Sequence, residues 1–283
     1  MRRSHDKRRQ ARGSYHARDA NSLWSPAMAE PLLYEVRDGI AHITLNRPEK
    51  LNAMNGGMAD ALRDMWKEFE RDPQVRVGIL SGAGKAFCAG RDISPGAVDP
   101  AVPFQTHQAL PENGVKVFKP IVAAIHGYAL GAGYVLGIRH CDISIAAESA
   151  VLGFPEAKAG VAIKPLEYKP FMPFKASLEF ALLGWQGGRL VGARRAYELG
   201  LVNAVVPDAE LHAEALRWAG LLKQIPPLYV RAVKRGHYAA ARTKAHDDEH
   251  EYLDYVWPQE QSEDLQEARR AFLEKRAPNF TGR

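Results

Sequence analysis

The stretch that decides the fold spans residues 121–156 and reads IVAAIHGYALGAGYVLGIRHCDISIAAESAVLGFPE. Its first five residues form a short apolar run, typical of a strand buried on both faces. The glycines that follow permit a tight turn into a helix through Leu136 and Ile138, and free N–H groups at a helix N-terminus attract negative charge. A second apolar segment leads to Glu156. We therefore expect an amide cluster and a proton carrier to face one pocket, as enolate or oxyanion chemistry requires.

Two other interpretations compete for this stretch. Glycines at such spacing also allow close packing of a helix on a strand, and many glutamates after a proline are surface residues. The spacing Gly131-x-Gly133-x-x-x-Gly137 resembles a dinucleotide-binding loop. It is one residue off that fingerprint, however, and no acidic residue ends a clear following strand. The pattern is therefore only a weak signal for a dinucleotide-binding loop.

Length and composition describe an ordinary globular protein. The chain has 283 residues, 46% of them hydrophobic and 25% charged, enough for one large α/β domain with an appendage or two modest domains. No apolar run approaches the roughly 20 residues of a membrane span. Two cysteines, Cys88 and Cys141, are too few for a disulfide framework, which favours a reducing, cytoplasmic location. Both lie in apolar surroundings typical of packing residues.

The positive charge of the chain is concentrated at its N-terminus. Residues 1–27 hold seven basic and two acidic side chains, which accounts for the whole net charge of +5. This composition predicts a disordered basic tail. A transit peptide, a nucleic-acid-binding arm and an over-long reading frame with Met28 as the working start are the alternatives, and we favour the last. The neutral remainder argues against nucleic acid as a partner.

Between the tail and the decisive stretch the sequence predicts alternating strands and a helix. Two strands flank the hairpin turn at Asp38-Gly39. An amphipathic helix over Met58 to Glu70 and a buried strand over Val75 to Leu80 follow, which implies a parallel crossover. Small residues from Ser81 to Ile93 then form a turn at the carboxyl end of a strand, where open α/β sheets bind ligands.

The last third of the chain reads as helical. Helices are predicted over Ala193 to Leu199, ending at Gly200, over Leu211 to Leu222, and after Pro226-Pro227. His246 and His250 have the i, i+4 spacing of a metal pair, but no third ligand is indicated. A solvated helix face is the better interpretation, so no metal is predicted.

Seven ordered blocks of sequence resemble the enoyl-CoA hydratase/isomerase, or crotonase, family. They are NRPEKLNAM (Asn46 to Met54), AFCAGRDI (Ala86 to Ile93), HGYALGAG (His126 to Gly133), CDISIAA (Cys141 to Ala147), FPEAKAG (Phe154 to Gly160), AYELGLVNAVVP (Ala196 to Pro207) and FLEKRAPNF (Phe272 to Phe280). The resemblance implies an α/β fold, a crotonase-like spiral of repeated ββα units with a C-terminal α-helical trimerisation region. We accordingly expect a core acyl-CoA-binding domain at 28–215 and a helical oligomerisation region at 216–283.

The resemblance also implies the site. Family members bind an acyl-CoA thioester and hold its carbonyl oxygen with two backbone amides, which match Arg91 and Ala132 here. Glu156 matches the catalytic carboxylate. The segments that line the CoA and pantetheine channel match Lys50, Leu51, Ala53, Ala89, Asp92 and Ile93. No cofactor is implied beyond coenzyme A as part of the substrate, and the expected assembly is a homotrimer or a hexamer formed as a dimer of trimers.

One catalytic position departs from the hydratase pattern. The resemblance implies that two-glutamate hydratases carry a glutamate two residues beyond the last glycine of the glycine triplet, which is Gly131-Ala132-Gly133 here, whereas Gly133 is followed by Tyr134, Val135 and Leu136. This chain also has one residue more than the hydratase pattern between the glycines and Cys141. A lone Glu156 resembles the enoyl-CoA isomerases that move a proton along the acyl chain, so isomerase is favoured over hydratase. Dienoyl-CoA isomerases carry an acid where this chain has Lys164, which argues against them.

Three alternatives stay open at this point. A hydratase could draw a relocated second acid from Glu112 or from Glu167, which lies in a proline-rich and aromatic segment that we expect to cover the acyl end of the pocket. The chain could instead be a non-catalytic acyl-CoA binder. It could also be an RNA-binding relative, although its neutral body disfavours that.

Overall fold

Six strands form the main sheet of the computed structural model, which describes residues 30–97, 109–111, 115–157, 172–183, 190–237, 263–276 and 278–279. In spatial order the strands are β1 (Leu32–Arg37), β2 (Ile40–Leu45), β3 (Val77–Gly82), β4 (Ile121–Ile125), β6 (Ile143–Ala147) and β9 (Ala204–Val206). The predicted hairpin is confirmed, since β1 and β2 pair antiparallel. Its turn residues Asp38 and Gly39 have φ values of 50° and 74°, the positive values that a tight hairpin turn needs.

All other neighbouring strands of this sheet are parallel. The predicted crossover from β2 to β3 is confirmed and contains helix α1 (Gly56–Arg71). Asn55 caps this helix by accepting a hydrogen bond from the Met58 N–H at 2.9 Å. The apolar face of α1 is buried as its spacing predicts.

Strand β4 is buried on both faces, as predicted. Its alternate residues belong to two apolar clusters: Ile121, Ala123 and Ile125 to one, and Val122 and Ala124 to the other. The first cluster contains the buried face of α1. The second contains helix α5 (Leu211–Gln224). The carboxyl end of β4 is therefore held by packing from both sides, and the segment after it starts from a rigid point.

A second, smaller sheet extends beyond the main one. Its strands are β5 (Tyr128–Leu130), β7 (Val151–Gly153) and β8 (Val191–Gly192), with β5 and β7 parallel and β7 and β8 antiparallel. β4 continues into β5, and β6 into β7, so each long strand is followed by a short one. Because β5 leads to the glycine triplet and β7 leads to Glu156, their pairing brings these two segments together.

The helix after β5 differs from its prediction. It begins as helix α2 (Ala132–Tyr134) and continues as a π-helical turn over Val135–Arg139, closed by a 3.1 Å bond from the His140 N–H to Val135 O. A π turn takes up one residue more than an α turn, so this turn has room for the one extra residue predicted before Cys141. The Ser144 hydroxyl donates to Gly137 O at 2.7 Å and holds the turn.

The remaining helices are α3 (Phe174–Leu183), α4 (Ala193–Glu198), α5, α6 (residues 227–237) and α7 (Glu263–Leu273). The three helices predicted individually in the last third of the chain are confirmed as α4, α5 and α6, whereas α3 and α7 were not predicted individually. Helix α4 stops before Gly200, whose φ of 76° fits the predicted C-terminal glycine. Within the described residues, no helix is long and apolar enough to cross a membrane. Residues 1–27 and the pair His246 and His250 lie outside the described residues, and the proposed domain limits stay predictions.

Candidate active site

The backbone around Arg91 fixes the direction of its amide. The Met54 N–H donates to Gly90 O at 2.7 Å, and the Asp92 N–H donates to Met54 O at 2.9 Å. The carbonyl and N–H of a trans peptide point in opposite directions, so the Arg91 N–H points away from Met54. In the part of the chain that the structure describes, this N–H has no backbone acceptor. A ligand could therefore accept from it.

Ala132 presents the second predicted donor. It is the first residue of α2, and Gly131 before it has a φ of 49° and provides no side-chain cap. Gly131 O accepts from the Val135 N–H at 3.0 Å, so the Ala132 N–H, in the same peptide, points out of the helix N-terminus. A β-carbon on Gly90 would lie 3.8 Å from the Ala132 nitrogen. The segments that carry the two predicted donors thus lie side by side.

Glu156 lies directly against this backbone. It is in a 3-10 turn over Pro155–Ala157, just after β7. A β-carbon on Gly131 would overlap its Oε1 atom and lie 3.0 Å from its Cδ atom. The carboxylate therefore sits one residue from the Ala132 amide, in space that exists because residue 131 is glycine.

The environment of Glu156 favours its neutral form. Its Oε2 atom is buried and has no hydrogen-bond partner among the described residues. Burial raises the pKa of Glu156 to about 7, although a hydrogen bond from its own backbone opposes the shift. A carboxyl with a pKa near neutrality can both accept and return a proton at physiological pH. The structure therefore places the predicted proton carrier beside the predicted oxyanion donors.

Three further backbone hydrogen bonds hold these segments in register. The Cys88 N–H donates to Tyr128 O at 2.9 Å, and the Leu130 N–H donates to Cys88 O at 3.0 Å. The Gly131 N–H donates to Gly153 O at 2.9 Å. The first pair fixes the Arg91 segment to β5, and the last bond fixes the glycine triplet to β7. The relative positions of the three predicted site residues thus depend on backbone pairing rather than on flexible side chains.

The predicted CoA-lining residues flank the same backbone. Leu51 O accepts from the Ala89 N–H at 2.9 Å, so the two loops that carry these residues are adjacent. Lys50 and Ile93 are exposed, and Leu51, Ala53 and Ala89 are half-buried. Asp92 is different because its carboxylate is turned inward to Arg47, and only 7% of its side chain is exposed. Its side chain has little surface left for CoA.

A cluster of aromatic side chains forms around Tyr134, two residues after Ala132. The Tyr134 ring packs on Phe154 with a centroid distance of 4.8 Å and on Phe180 at 5.3 Å. All three rings are buried. Val135, at the position of the first hydratase glutamate, is buried as well. Glu112, Lys164 and Glu167 lie outside the described residues, so the predictions about them stay open.

Sequence reasoning missed the side chains that support this site. The Arg47 guanidinium donates to Ala53 O at 2.5 Å and to Asp92 at 3.1 Å. The buried Asn52 accepts from the Arg47 N–H at 2.8 Å and donates to Ala83 O and Ala86 O, each at 2.8 Å. Both residues lie in NRPEKLNAM, one of the seven blocks that resemble the family. A polar residue inside such a block is the signal that could have marked them.

Comparison with known proteins identifies the family. A model described as enoyl-CoA hydratase/isomerase matches residues 35–283. The chain belongs to the enoyl-CoA hydratase/isomerase family. It is therefore an acyl-CoA enzyme of this family, as the resemblance of its sequence blocks implied.

Relatives in the enoyl-CoA hydratase/isomerase family have different activities. The chain is 33% identical over 260 residues to (E)-benzylidenesuccinyl-CoA hydratase of Thauera aromatica, covering 89% of this chain and 99% of that protein. It is 34% identical over 269 residues to 1,2-epoxyphenylacetyl-CoA isomerase of Escherichia coli, covering 90% of this chain and 100% of that protein. A hydratase and an isomerase thus have nearly the same sequence identity to this chain, so sequence identity does not decide between the two activities.

Solved structures of this family share the fold. The crystal structure of carnitinyl-CoA hydratase from Mycobacterium avium has a TM-score of 0.76 and 32% identity, covering 90% of this chain and 100% of that one. An enoyl-CoA hydratase/isomerase from Pseudoalteromonas atlantica has a TM-score of 0.77 and 28% identity, covering 89% of this chain and 100% of that one. The predicted crotonase fold is confirmed.

Proposed function

We propose that this protein is an enoyl-CoA isomerase that moves a double bond along the acyl chain of a CoA thioester. The observation that carries the proposal is the position of Glu156, whose carboxylate lies against Gly131 with its Oε2 atom buried and its pKa raised to about 7. No neighbouring charge among the described residues contributes to that pKa shift. A single carboxyl that can hold or release a proton suits a transfer from one carbon to another.

The proposed mechanism uses two backbone N–H groups and one carboxylate. The thioester oxygen of a 3-enoyl-CoA accepts hydrogen bonds from the Arg91 and Ala132 N–H groups, which stabilise the negative charge of an enolate. Glu156 removes a proton from C2, and the electron pair of that C–H bond forms the enolate. The thioester carbonyl then re-forms from the enolate oxygen, the C1–C2 π electrons move to form the C2–C3 double bond, and the C3–C4 π electrons take the proton back from Glu156 at C4. The product is the conjugated 2-enoyl-CoA, and Glu156 returns to its ionised form.

The proposal extends to the CoA moiety. Lys50, Leu51, Ala53, Ala89 and Ile93 retain exposed surface next to the Arg91 segment, which suits contact with the pantetheine arm and the adenosine phosphates. Asp92 belongs to the same loop but contributes mainly through its internal contacts. Coenzyme A enters as part of the substrate, and the proposed reaction needs no further cofactor.

Hydration of a 2-enoyl-CoA is the second candidate function. The name of the relative from Thauera aromatica favours it, and one carboxyl with a pKa near 7 could both activate water and protonate C2. By sequence resemblance, Val135 matches the first hydratase glutamate; it carries no acid and is buried, as is the neighbouring Tyr134, which packs on Phe154. We therefore rank isomerisation first.

One experiment separates the two functions. The purified protein is incubated with crotonyl-CoA and, separately, with 3-hexenoyl-CoA, and the ultraviolet absorbance of the conjugated thioester and the product mass are followed. Isomerisation predicts that 3-hexenoyl-CoA gains the conjugated absorbance without a change in mass. A crotonyl-CoA product heavier by one water, with no conversion of 3-hexenoyl-CoA, would overturn the proposal and identify a hydratase.

Assembly into a homotrimer or a dimer of trimers is part of the proposal. Helix α3 leaves an apolar stripe exposed at i, i+4 spacing, with Phe174 at 66%, Leu178 at 40% and Leu182 at 65% exposure. Such a stripe is typical of an interface. Light scattering should give the mass of three or six chains, and Leu182→Glu should lower it. A monomer for the parent chain would contradict this assembly.

A further inference from the structure

A chain of hydrogen bonds connects the Arg47 guanidinium to the Arg91 amide. Arg47 Nη1 donates to Ala53 O at 2.5 Å. The N–H of the same peptide group, on Met54, donates to Gly90 O at 2.7 Å. Gly90 O belongs to the Gly90–Arg91 peptide group, whose N–H is that of Arg91 and points away from Met54. Two peptide groups therefore lie head to tail between a cation and the proposed oxyanion donor.

The order of donors and acceptors makes this connection directional. A cation that donates to a peptide oxygen draws electron density from that peptide and makes its N–H a stronger donor, and consecutive hydrogen bonds polarise one another in the same sense. Positive charge at Arg47 therefore strengthens the bond from Met54 to Gly90, and through it the bond that the Arg91 N–H gives to a ligand. The low accessibility of Arg47, with 15% of its side chain exposed, limits screening by water.

Asp92 holds the cation in place. Arg47 Nη1 and Nη2 both lie 3.1 Å from Asp92 Oδ2, and the other oxygen of Asp92 accepts from the Ser94 N–H at 3.0 Å. Since Asp92 directly follows Arg91, the ion pair also fixes the backbone on the far side of the amide. Asp92 thus orients Arg47, while its negative charge partly offsets the field of the guanidinium.

We propose that Arg47 is a positioning residue that aims and polarises the Arg91 N–H through the Ala53–Met54 and Gly90–Arg91 peptide groups, and so strengthens the oxyanion hole. This inference rests on the proposed function, because it assumes that Arg91 donates to a thioester oxygen. The inference adds a side chain that does not touch the substrate. Its charge strengthens the hydrogen bond that the Arg91 N–H donates to the reacting carbonyl. Arg47 itself touches neither CoA nor the acyl group in this account.

The test uses acetoacetyl-CoA, whose enolate absorbs in the near ultraviolet and mimics the proposed intermediate. The fraction of bound acetoacetyl-CoA present as enolate is measured against pH for the full-length protein and for Arg47→Met, Arg47→Lys and Asp92→Asn. Free CoA, which has no thioester carbonyl, is titrated in parallel to report binding alone. Arg63→Met, which removes the partly exposed ion pairs to Asp60 at 2.8 Å and to Asp64 at 3.7 Å on helix α1, is the matched control.

Arg47→Met should lower the enolate-to-keto ratio of the bound ligand by about tenfold, less than removal of a whole oxyanion donor, while CoA affinity stays unchanged. Arg47→Lys, which keeps the charge and can still donate to Ala53 O, should recover most of that loss. Asp92→Asn, which keeps the cation, should lose less than Arg47→Met. Arg63→Met should match the parent protein.

Two results would overturn the inference. One is an enolate ratio in Arg47→Met equal to that of the parent. The other is an equal loss in Arg47→Met, Arg47→Lys and Asp92→Asn that follows their loss of thermal stability, because that pattern indicates a merely structural ion pair. A parent protein that binds acetoacetyl-CoA without stabilising its enolate would instead refute the oxyanion hole itself, and with it the proposed function.

Discussion

Glu156 lies directly against Gly131, and its carboxylate fills the space that a side chain at position 131 would need. Gly131 also has a φ of 49°, a conformation that residues with a β-carbon adopt with strain. One glycine therefore serves two purposes, since it turns the chain into α2 and admits the acid to the Ala132 amide. The proposed proton carrier and the proposed oxyanion donor are thus positioned by the same residue.

Replacing Gly131 should separate the acid from the amides. In Gly131→Ala the new methyl group would overlap Oε1 and must displace the carboxylate, so we expect kcat for a 3-enoyl-CoA to fall by about 100-fold, the effect of a displacement on the order of 1 Å. Gly220→Ala is the matched control, because its β-carbon would meet no atom within 4 Å in helix α5. That variant should keep full activity. Equal activity of the two variants would refute the proposed contact.

Removing the charge of Glu156 should stabilise the protein at high pH. The folded-state pKa of about 7 lies above the ordinary value of 4.5, so ionisation costs more in the folded than in the unfolded protein. The cost is absent below about pH 4.5, grows through the interval, and is complete above about pH 7. Glu156→Gln should therefore raise the free energy of unfolding by about 1–3 kcal/mol at pH 8 and leave it unchanged at pH 4.

Urea denaturation at the two pH values measures this difference. A gain of the same size at pH 4 and pH 8 would show that packing, rather than the buried charge, is responsible. A loss of stability at pH 8 would contradict the burial of Oε2.

The two cysteines should resist modification in the native protein. Both thiols are buried, and burial raises the pKa of Cys88 to about 11 and that of Cys141 further still. Thiolates, rather than thiols, attack disulfide reagents. Titration with DTNB at pH 8 should therefore release no product until denaturant is added, when two equivalents should appear. Rapid release from the folded protein would contradict the burial of these side chains.

The ion pair between Lys234 and Asp142 should be important for stability. Lys234 Nζ donates to Asp142 Oδ2 and to Lys119 O, each at 2.8 Å, and only 6% of its side chain is exposed. Lys234→Met would remove the cation from the Asp142 carboxylate, which would keep the 2.7 Å hydrogen bond from the Ile121 N–H, and loss of one partner of a buried ion pair typically costs about 3–5 kcal/mol. Lys223→Met, which removes only a solvent-exposed bond to Asp38 O, should cost about 0.5 kcal/mol. Equal losses in chemical denaturation would refute the special role of Lys234.

The sequence predicted those elements whose pattern is long enough to be read. The apolar run of β4 and the periodic face of α1 each reflect burial that the local pattern encodes. Strands β5, β7 and β8 have three residues or fewer, too short for a period to appear. The π turn depends on Ser144, which reaches Gly137 O from the following strand, so tertiary contacts decide where the extra residue is accommodated.

The site was predictable to the extent that it consists of backbone turns. Glycine positions and one acid mark Ala132 and Glu156, and the structure places them together. The inward turn of Asp92 was not predictable, because its partner Arg47 is 45 residues away in the sequence. A polar side chain in a loop shows its contacts only after the loops have packed, and this is why the supporting residues escaped sequence reasoning.

The pH dependence of turnover tests the central role of Glu156 most directly. The value of kcat/KM for a 3-enoyl-CoA reports the pKa values of essential groups in the free enzyme. Because the ionised carboxylate must accept the proton, kcat/KM should rise from low pH and reach half its maximum near pH 7, and Glu156→Gln should lower it by at least about 100-fold at every pH. A profile that is flat between about pH 5 and 9, or a Glu156→Gln variant as active as the parent, would contradict the account.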